Sequence, residues 1–166
     1  MKQLGLDLST VTSGWAVSED TKLLNCGFFD ISKVKTYKEK AKIIINGLEN
    51  IEFDNICIEE AVNRFALGNS SADTIIKLIK NKVVISYILE EHYKKEIISA
   101  GALTMRKNVF GKAFIKGVKS KEYVKQKIES MFDVSKYIIK TSRGNVDVRM
   151  GDVYDAIVAS LFSPQK

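Results

Sequence analysis

Leu4-Gly5-Leu6-Asp7-Leu8-Ser9-Thr10-Val11-Thr12-Ser13-Gly14-Trp15-Ala16-Val17 is the stretch that decides the architecture. Residues 3–9 alternate apolar with other side chains, the period of a strand with one face in a core. The cluster from Ser9 to Gly14 is a turn signal, and Trp15 to Val17 resumes an apolar run, so the segment reads as a β-hairpin. Asp7 is the exception in it: a carboxylate in the middle of a central strand is costly unless a cation compensates it. An edge strand with Asp7 on its solvent face, or an aspartate capping the turn, fits the pattern as well.

Working outward, residues 22–31 form a predicted third strand, with Gly27 as a candidate bulge, and residues 37–48 carry Ala41, Ile44, Ile45 and Leu48 at helical spacing. The apolar run 55–58 fits a buried strand that stops at Glu59 and Glu60. Ser70, Ser71 and Asp73 supply a start signal for a helix. Its apolar positions, among them Ile75, Ile79, Val83 and Leu89, occupy more than one face, as in a helix packed under a sheet or against a second subunit. A brief strand at 97–100 precedes a short helical candidate at 102–108, a basic loop at 110–120 and a helix at 120–131. Residues 141–148 are polar and read as an exposed, mobile loop, and residues 152–162 close the chain as an apolar helix. Leaving aside the short candidate at 102–108, the order β-β-β-α-β-α-β-α-α predicts an α/β domain with helices on both faces of a mixed sheet.

A length of 166 residues fits one domain, residues 1–166, with a core of its own. Hydrophobic residues make up 45% and charged residues 28%, which argues against disorder and fibrous architectures. The chain has no apolar run of the length a membrane span needs and no signal-like apolar segment after Lys2, so the expected address is the cytoplasm. Cys26 and Cys57 lie in apolar runs without metal-knuckle spacing and are expected to be buried free thiols. His92 is the sole histidine, so any metal site must be built from carboxylates.

The formal charge of +6 permits a nucleic-acid partner. Its distribution is more informative: between Lys94 and Lys127 ten basic residues stand against Glu96 and Glu122, which leaves the rest of the chain slightly acidic. A segregated positive segment suits a surface that tracks phosphates, and equally a solvated lysine-rich face.

The acids fall at positions where chemistry is possible. Glu59 and Glu60 end a strand, where open α/β sheets place ligands, and period-two alternation lets only one of them share the working face; on their own they fit better as ordinary solvated acids where a strand passes into a loop. Asp152 and Asp155 are three apart on the last helix and share a face. Complementing the helix dipole explains Asp152 better than Asp155, which sits within the apolar run. Together with Asp7 these acids make an oxygen-ligand cage suited to Mg²⁺ or Mn²⁺. Two such ions about 3.5–4 Å apart would serve phosphodiester hydrolysis.

At these residues the chain resembles the RuvC family of Holliday-junction resolvases, in the ribonuclease H-like superfamily. The opening string from Leu4 to Val17 looks like the family's first hairpin, with a catalytic aspartate at Asp7 and the turn glycine at Gly14. Ile56-Cys57-Ile58-Glu59-Glu60-Ala61 is similar to the second acidic motif and selects Glu59 over Glu60; Gly151 to Ser160 looks like the terminal D-x-x-D-A helix, with Asp152 and Asp155 as the last two acids. The resemblance implies a ribonuclease H-like sheet of three antiparallel strands followed by parallel ones. It also implies two Mg²⁺ ions, replaceable by Mn²⁺, held by Asp7, Glu59, Asp152 and Asp155. A homodimer formed through the helix from Ser71 to Leu89 is implied as well, acting on four-way junctions and other branched DNA such as forks. Phosphate-holding positions would be Arg106, Lys107, Lys112, Lys116, Lys119 and Lys121, with Phe65 as the aromatic nearest the second motif. The small, lysine-rich chain looks like the bacteriophage-encoded branch, acting in a host's cytoplasm. Other readings of the same acids are a ribonuclease H or integrase-like nuclease with another substrate, a half of a sugar-kinase-like ATPase, and a junction-binding protein whose acids are structural. Asp147, near the last motif, is expected to belong to the loop.

Overall fold

Alternation along the first strand separates two cores. The computed structural model describes residues 1–60 and 72–164; the helix-start residues Ser70 and Ser71 and the aromatic Phe65 lie outside them. In β1 (Lys2–Leu8), Leu4, Leu6 and Leu8 are fully buried on one side, and Gln3, Gly5 and Asp7 face the other. β1 pairs antiparallel with β2 (Thr12–Glu19), which pairs antiparallel with β3 (Lys22–Asp30). On its other side β1 pairs in parallel with β4 (Asn55–Glu59), and β4 with β5 (Ile97–Ala100), giving a five-stranded mixed sheet of order β3-β2-β1-β4-β5.

One face of the sheet is covered by α1 (Tyr37–Leu48) and α2 (Ala72–Tyr93), which contribute Ala41, Ile44, Leu48, Ile85 and Leu89 to the core with the β1 leucines. The opposite face is covered by α3 (Ala102–Phe110), α4 (Ser120–Met131) and α5 (Met150–Leu161) around Cys57, Met105, Tyr123, Val153 and Ile157. Cys26 and Cys57 are buried free thiols in that second core, where burial pushes both up to about 12. Among the described residues no helix is long and apolar enough to cross a membrane.

The helix α5 lies directly on the strands because two glycines let it. A Cβ on Gly5 would stand 2.2 Å from the Ala156 carbonyl oxygen, and one on Gly14 would stand 2.1 Å from that of Asp152. Gln3 then caps the far end of α5, its amide donating to the Ala159 carbonyl at 3.0 Å and to that of Phe162 at 2.7 Å.

Several boundaries differ from the sequence expectation. The first turn is shorter because Ser9 closes it: its hydroxyl donates to the Thr12 carbonyl at 2.5 Å and accepts the Thr12 amide at 3.0 Å, so β2 already starts at Thr12. Gly27 is not a bulge. It pairs in register with Trp15, the irregularity lies between Val17 and Ser18, and a Cβ at Gly27 would meet the indole nitrogen at 3.1 Å. The helices α2 and α3 run beyond Leu89 and Asn108, to Tyr93 and Phe110; the left-handed Gly111, at φ 75°, ends α3. The stretch 141–148 is exposed as expected apart from Asp147, and it is closed by backbone hydrogen bonds: the Thr141 amide donates to the Asn145 carbonyl at 2.8 Å, and Arg149 holds Asp147 at its base.

Candidate active site

The sheet brings Asp7 and Glu59 together. Asp7 is one step beyond Leu6, which pairs with Ile58 across the parallel β1–β4 ladder, and Glu59 is one step beyond Ile58. Both point to the α5 side, since Gly5 and Cys57, two residues earlier, abut that face. Glu60 is exposed, so the alternation selects Glu59. Gly14 pairs with Asp7 across the hairpin, and its missing side chain is what lets the backbone of Asp152 approach. One turn further along α5, Asp155 is buried below it.

The four carboxylates feel one another. Burial is the chief cause that pushes Asp7 up to about 7, followed by the charge of Glu59, with smaller upward pushes from Asp155 and Asp152. Glu59 is raised by burial and by Asp155 and Asp152, and Asp152 is raised by burial and by Asp155. Cations oppose these shifts. The Lys82 ammonium, in α2, stands 3.5 Å from Asp7 Oδ1 and 3.9 Å from Glu59 Oε1 and donates to the Glu59 carbonyl at 2.8 Å. Lys82 is only 7% exposed. Arg106 Nη2 donates to Asp155 Oδ1 at 3.0 Å, and Lys121 Nζ lies 3.6 Å from Asp152 Oδ1.

This donor set suits a hard divalent cation, because it is all carboxylate oxygen and its mutual repulsion is what such an ion relieves. Among the described residues no three ligating side chains stand together as a finished cage; Lys82 pairs with Asp7 and Glu59, and Arg106 with Asp155. A divalent ion here would replace part of that compensation.

The basic positions divide. Lys107, Lys112, Lys116, Lys119 and Lys121 are exposed along α3, the loop 111–119 and the start of α4. Arg106 differs from the phosphate-facing position expected of it: it is 8% exposed, pairing with Asp155 and donating through Nη1 to Ser120 Oγ at 2.5 Å. Asp147 is buried and accepts Arg149 at 3.0 and 2.6 Å, which pushes its carboxyl down to about 2. The Arg149 guanidinium also reaches Asp30 at 3.2 Å and covers the Phe28 ring at 4.4 Å, so Asp147 fastens the turn to β3. Sequence patterning does not single out Lys82. Its signal was the polar pair Asn81-Lys82 interrupting an apolar helix; the Asn81 amide donates to the Ser9 carbonyl at 2.8 Å.

No family model matches the sequence, and no curated protein matches it significantly. Solved structures do match the fold. RuvC of T. thermophilus in complex with a Holliday junction substrate aligns with TM-score 0.63 at 13% identity, covering 97% of this chain and 91% of that one. The yeast mitochondrial Holliday junction resolvase Ydc2 aligns with TM-score 0.63 at 12% identity over 95% of this chain and 75% of that one. The fowlpox virus Holliday junction resolvase aligns with TM-score 0.51 at 12% identity, covering 97% and 95%. The α/β fold, with its mixed five-stranded sheet, is the RuvC and ribonuclease H-like fold.

Proposed function

We propose that this chain is a divalent-metal-dependent endonuclease for branched DNA, with four-way junctions as the leading substrate and forks as a further one. The observation that carries the reading is the convergence of Asp7, Glu59, Asp152 and Asp155 at one end of the sheet, beside a run of exposed lysines. These four carboxylates would hold Mg²⁺, two ions per site, with Mn²⁺ as a substitute. Such ions polarise a phosphodiester and lower the pKa of water. The protein's own part is to position: Lys82 holds Asp7 and Glu59, Arg106 holds Asp155, and Lys107, Lys112, Lys116, Lys119 and Lys121 bind phosphates. Phe65 remains a candidate base contact.

A homodimer through α2 completes the reading. Ile76, Val83 and Tyr87 are exposed along this helix, Val83 and Tyr87 at 61% and 63%, and a two-fold pair of sites suits a substrate of two-fold symmetry. The test compares a four-way junction, a fork and a linear duplex of equal arm sequence, with Mg²⁺ or EDTA. Paired, metal-dependent nicks in the junction support the resolvase reading; cutting the duplex as fast as the junction would point to a general nuclease of the same superfamily.

One observation favours a second reading. Lys82, Arg106 and Lys121 already compensate the acids, as they would in a junction-binding protein without catalysis. Tight junction binding, with no cleavage in any metal and no effect of Asp7→Asn, would select it.

A further inference from the structure

The loop 111–119 carries an exposed apolar tip. Phe110, at the end of α3, turns inward and meets the Tyr123 ring edge-on at 5.8 Å, whereas Phe114 is 65% exposed and Ile115 beside it 45% exposed. The loop has a defined shape. Gly111 ends α3 in the left-handed region, the Tyr123 hydroxyl donates to the Lys112 carbonyl at 2.8 Å, and the Val118 amide donates to the Ile115 carbonyl at 3.1 Å. Gly117, at φ 85°, occupies the third position of that turn, as a type II turn requires. Phe114 is therefore exposed on a loop that also carries the exposed Lys112, Lys116 and Lys119, and residues 111–121 contain no acid.

Both ends of the loop are tied to the acid cluster. Before it, Arg106 of α3 bonds Asp155 and Ser120; after it, Lys121 of α4 reaches Asp152. A lone surface phenylalanine needs no explanation. An exposed phenylalanine on a loop whose lysines make no ion pair among the described residues combines an aromatic platform with phosphate-holding cations, the pairing that binds unstacked nucleic-acid bases without regard to sequence.

We propose that Phe114 stacks on an unpaired DNA base while Lys112, Lys116 and Lys119 hold the flanking phosphates, making the loop 111–119 a second single-strand contact beside the cleavage site. The inference rests on the branched-DNA reading and adds a contact separate from the residues after Glu59. Charge complementarity selects nucleic acid over a second copy of this chain, whose own loop carries the same positive charge.

The experiment measures binding of a dT oligonucleotide and of a four-way junction to the full chain in EDTA, over a range of salt, with sedimentation of each free protein. Phe114→Ala is expected to weaken dT binding at least about tenfold without altering the slope of log K against log salt, and Phe114→Trp to restore it. Lys116→Ala with Lys119→Ala is expected to lower that slope for the single strand by about 1.4. Unchanged dT and junction affinity for Phe114→Ala, with wild type binding both, overturns the stacking role and leaves the nuclease reading standing. Wild type that binds neither DNA at low salt overturns both. A variant that changes only sedimentation assigns the tip to self-association and also overturns the proposal.

Discussion

Replacing Lys82 by methionine removes one buried charge and keeps the length of the side chain. In the wild-type protein the ammonium lies 3.5 Å from Asp7 Oδ1 and 3.9 Å from Glu59 Oε1, with 7% of the residue exposed. At an effective dielectric constant of about 20, each contact carries about 4–5 kcal/mol of attraction. Desolvation offsets most of it, but Lys82→Met leaves two half-buried carboxylates without the cation, and breaking such a pair from one side costs about 3 kcal/mol. For a chain of this length the melting temperature in EDTA should fall by about 6–12 °C. The same change removes the positive charge with which an incoming divalent ion competes, so Mn²⁺ should bind at least about tenfold more tightly, worth about 1.4 kcal/mol. Thermal denaturation in EDTA and Mn²⁺ titration calorimetry read the two effects separately. Adding Asp7→Asn to Lys82→Met should recover part of the lost metal-free stability, because the charge left uncompensated is removed as well. A Lys82→Met protein that melts in EDTA within about 2 °C of wild type and binds Mn²⁺ no better would refute the role given to Lys82.

Further outcomes follow from the same geometry. Asp7 titrates near 7 in the folded protein against an ordinary 3.8, so between those values the folded state holds a proton that the unfolded chain has released. Its contribution is full below about 3.8 and lost above about 7; urea denaturation in EDTA should therefore show stability declining across that window, and Asp7→Asn should flatten the decline. Arg106→Gln leaves Asp155 buried without its guanidinium and should destabilise the protein by about 3–5 kcal/mol, whereas Lys107→Gln, on the surface, should leave denaturation unchanged. Gly14→Ala forces a methyl group against the Asp152 carbonyl, which should cost about 1–3 kcal/mol and weaken Mn²⁺ binding through displacement of α5. If the proposed α2 homodimer forms, Tyr87→Glu on the exposed stripe of α2 should leave only monomer in analytical ultracentrifugation.

What could be read from sequence was what local patterning records. The alternation of Leu4, Leu6 and Leu8 against Gly5 and Asp7 located the central strand and the odd carboxylate, and the three-residue spacing of Asp152 and Asp155 placed them on one face of α5. The close seating of α5 was not legible, because it depends on Gly5 and Gly14 lying under one helix from a distant part of the chain. The cations inside the site escaped for a related reason. Sequence patterning passes over Lys82 and makes Arg106 a phosphate-facing position, and only the packing of α2 and α3 against the strand ends and α5 turns both toward the carboxylates. The 141–148 stretch is anchored by Arg149, which Asp147 holds and which reaches Asp30 and the Phe28 ring more than a hundred residues away, contacts that sequence patterning does not record.

The most direct test of the central claim is a cleavage assay on an end-labelled four-way junction, titrated with Mg²⁺, for wild type, Asp7→Asn and Glu59→Gln. The account predicts paired nicks at symmetry-related positions that appear with Mg²⁺, vanish in EDTA and are lost in both variants while junction binding persists. Cleavage that survives either substitution, or no cleavage of the bound junction by wild type in Mg²⁺ or Mn²⁺, would contradict it.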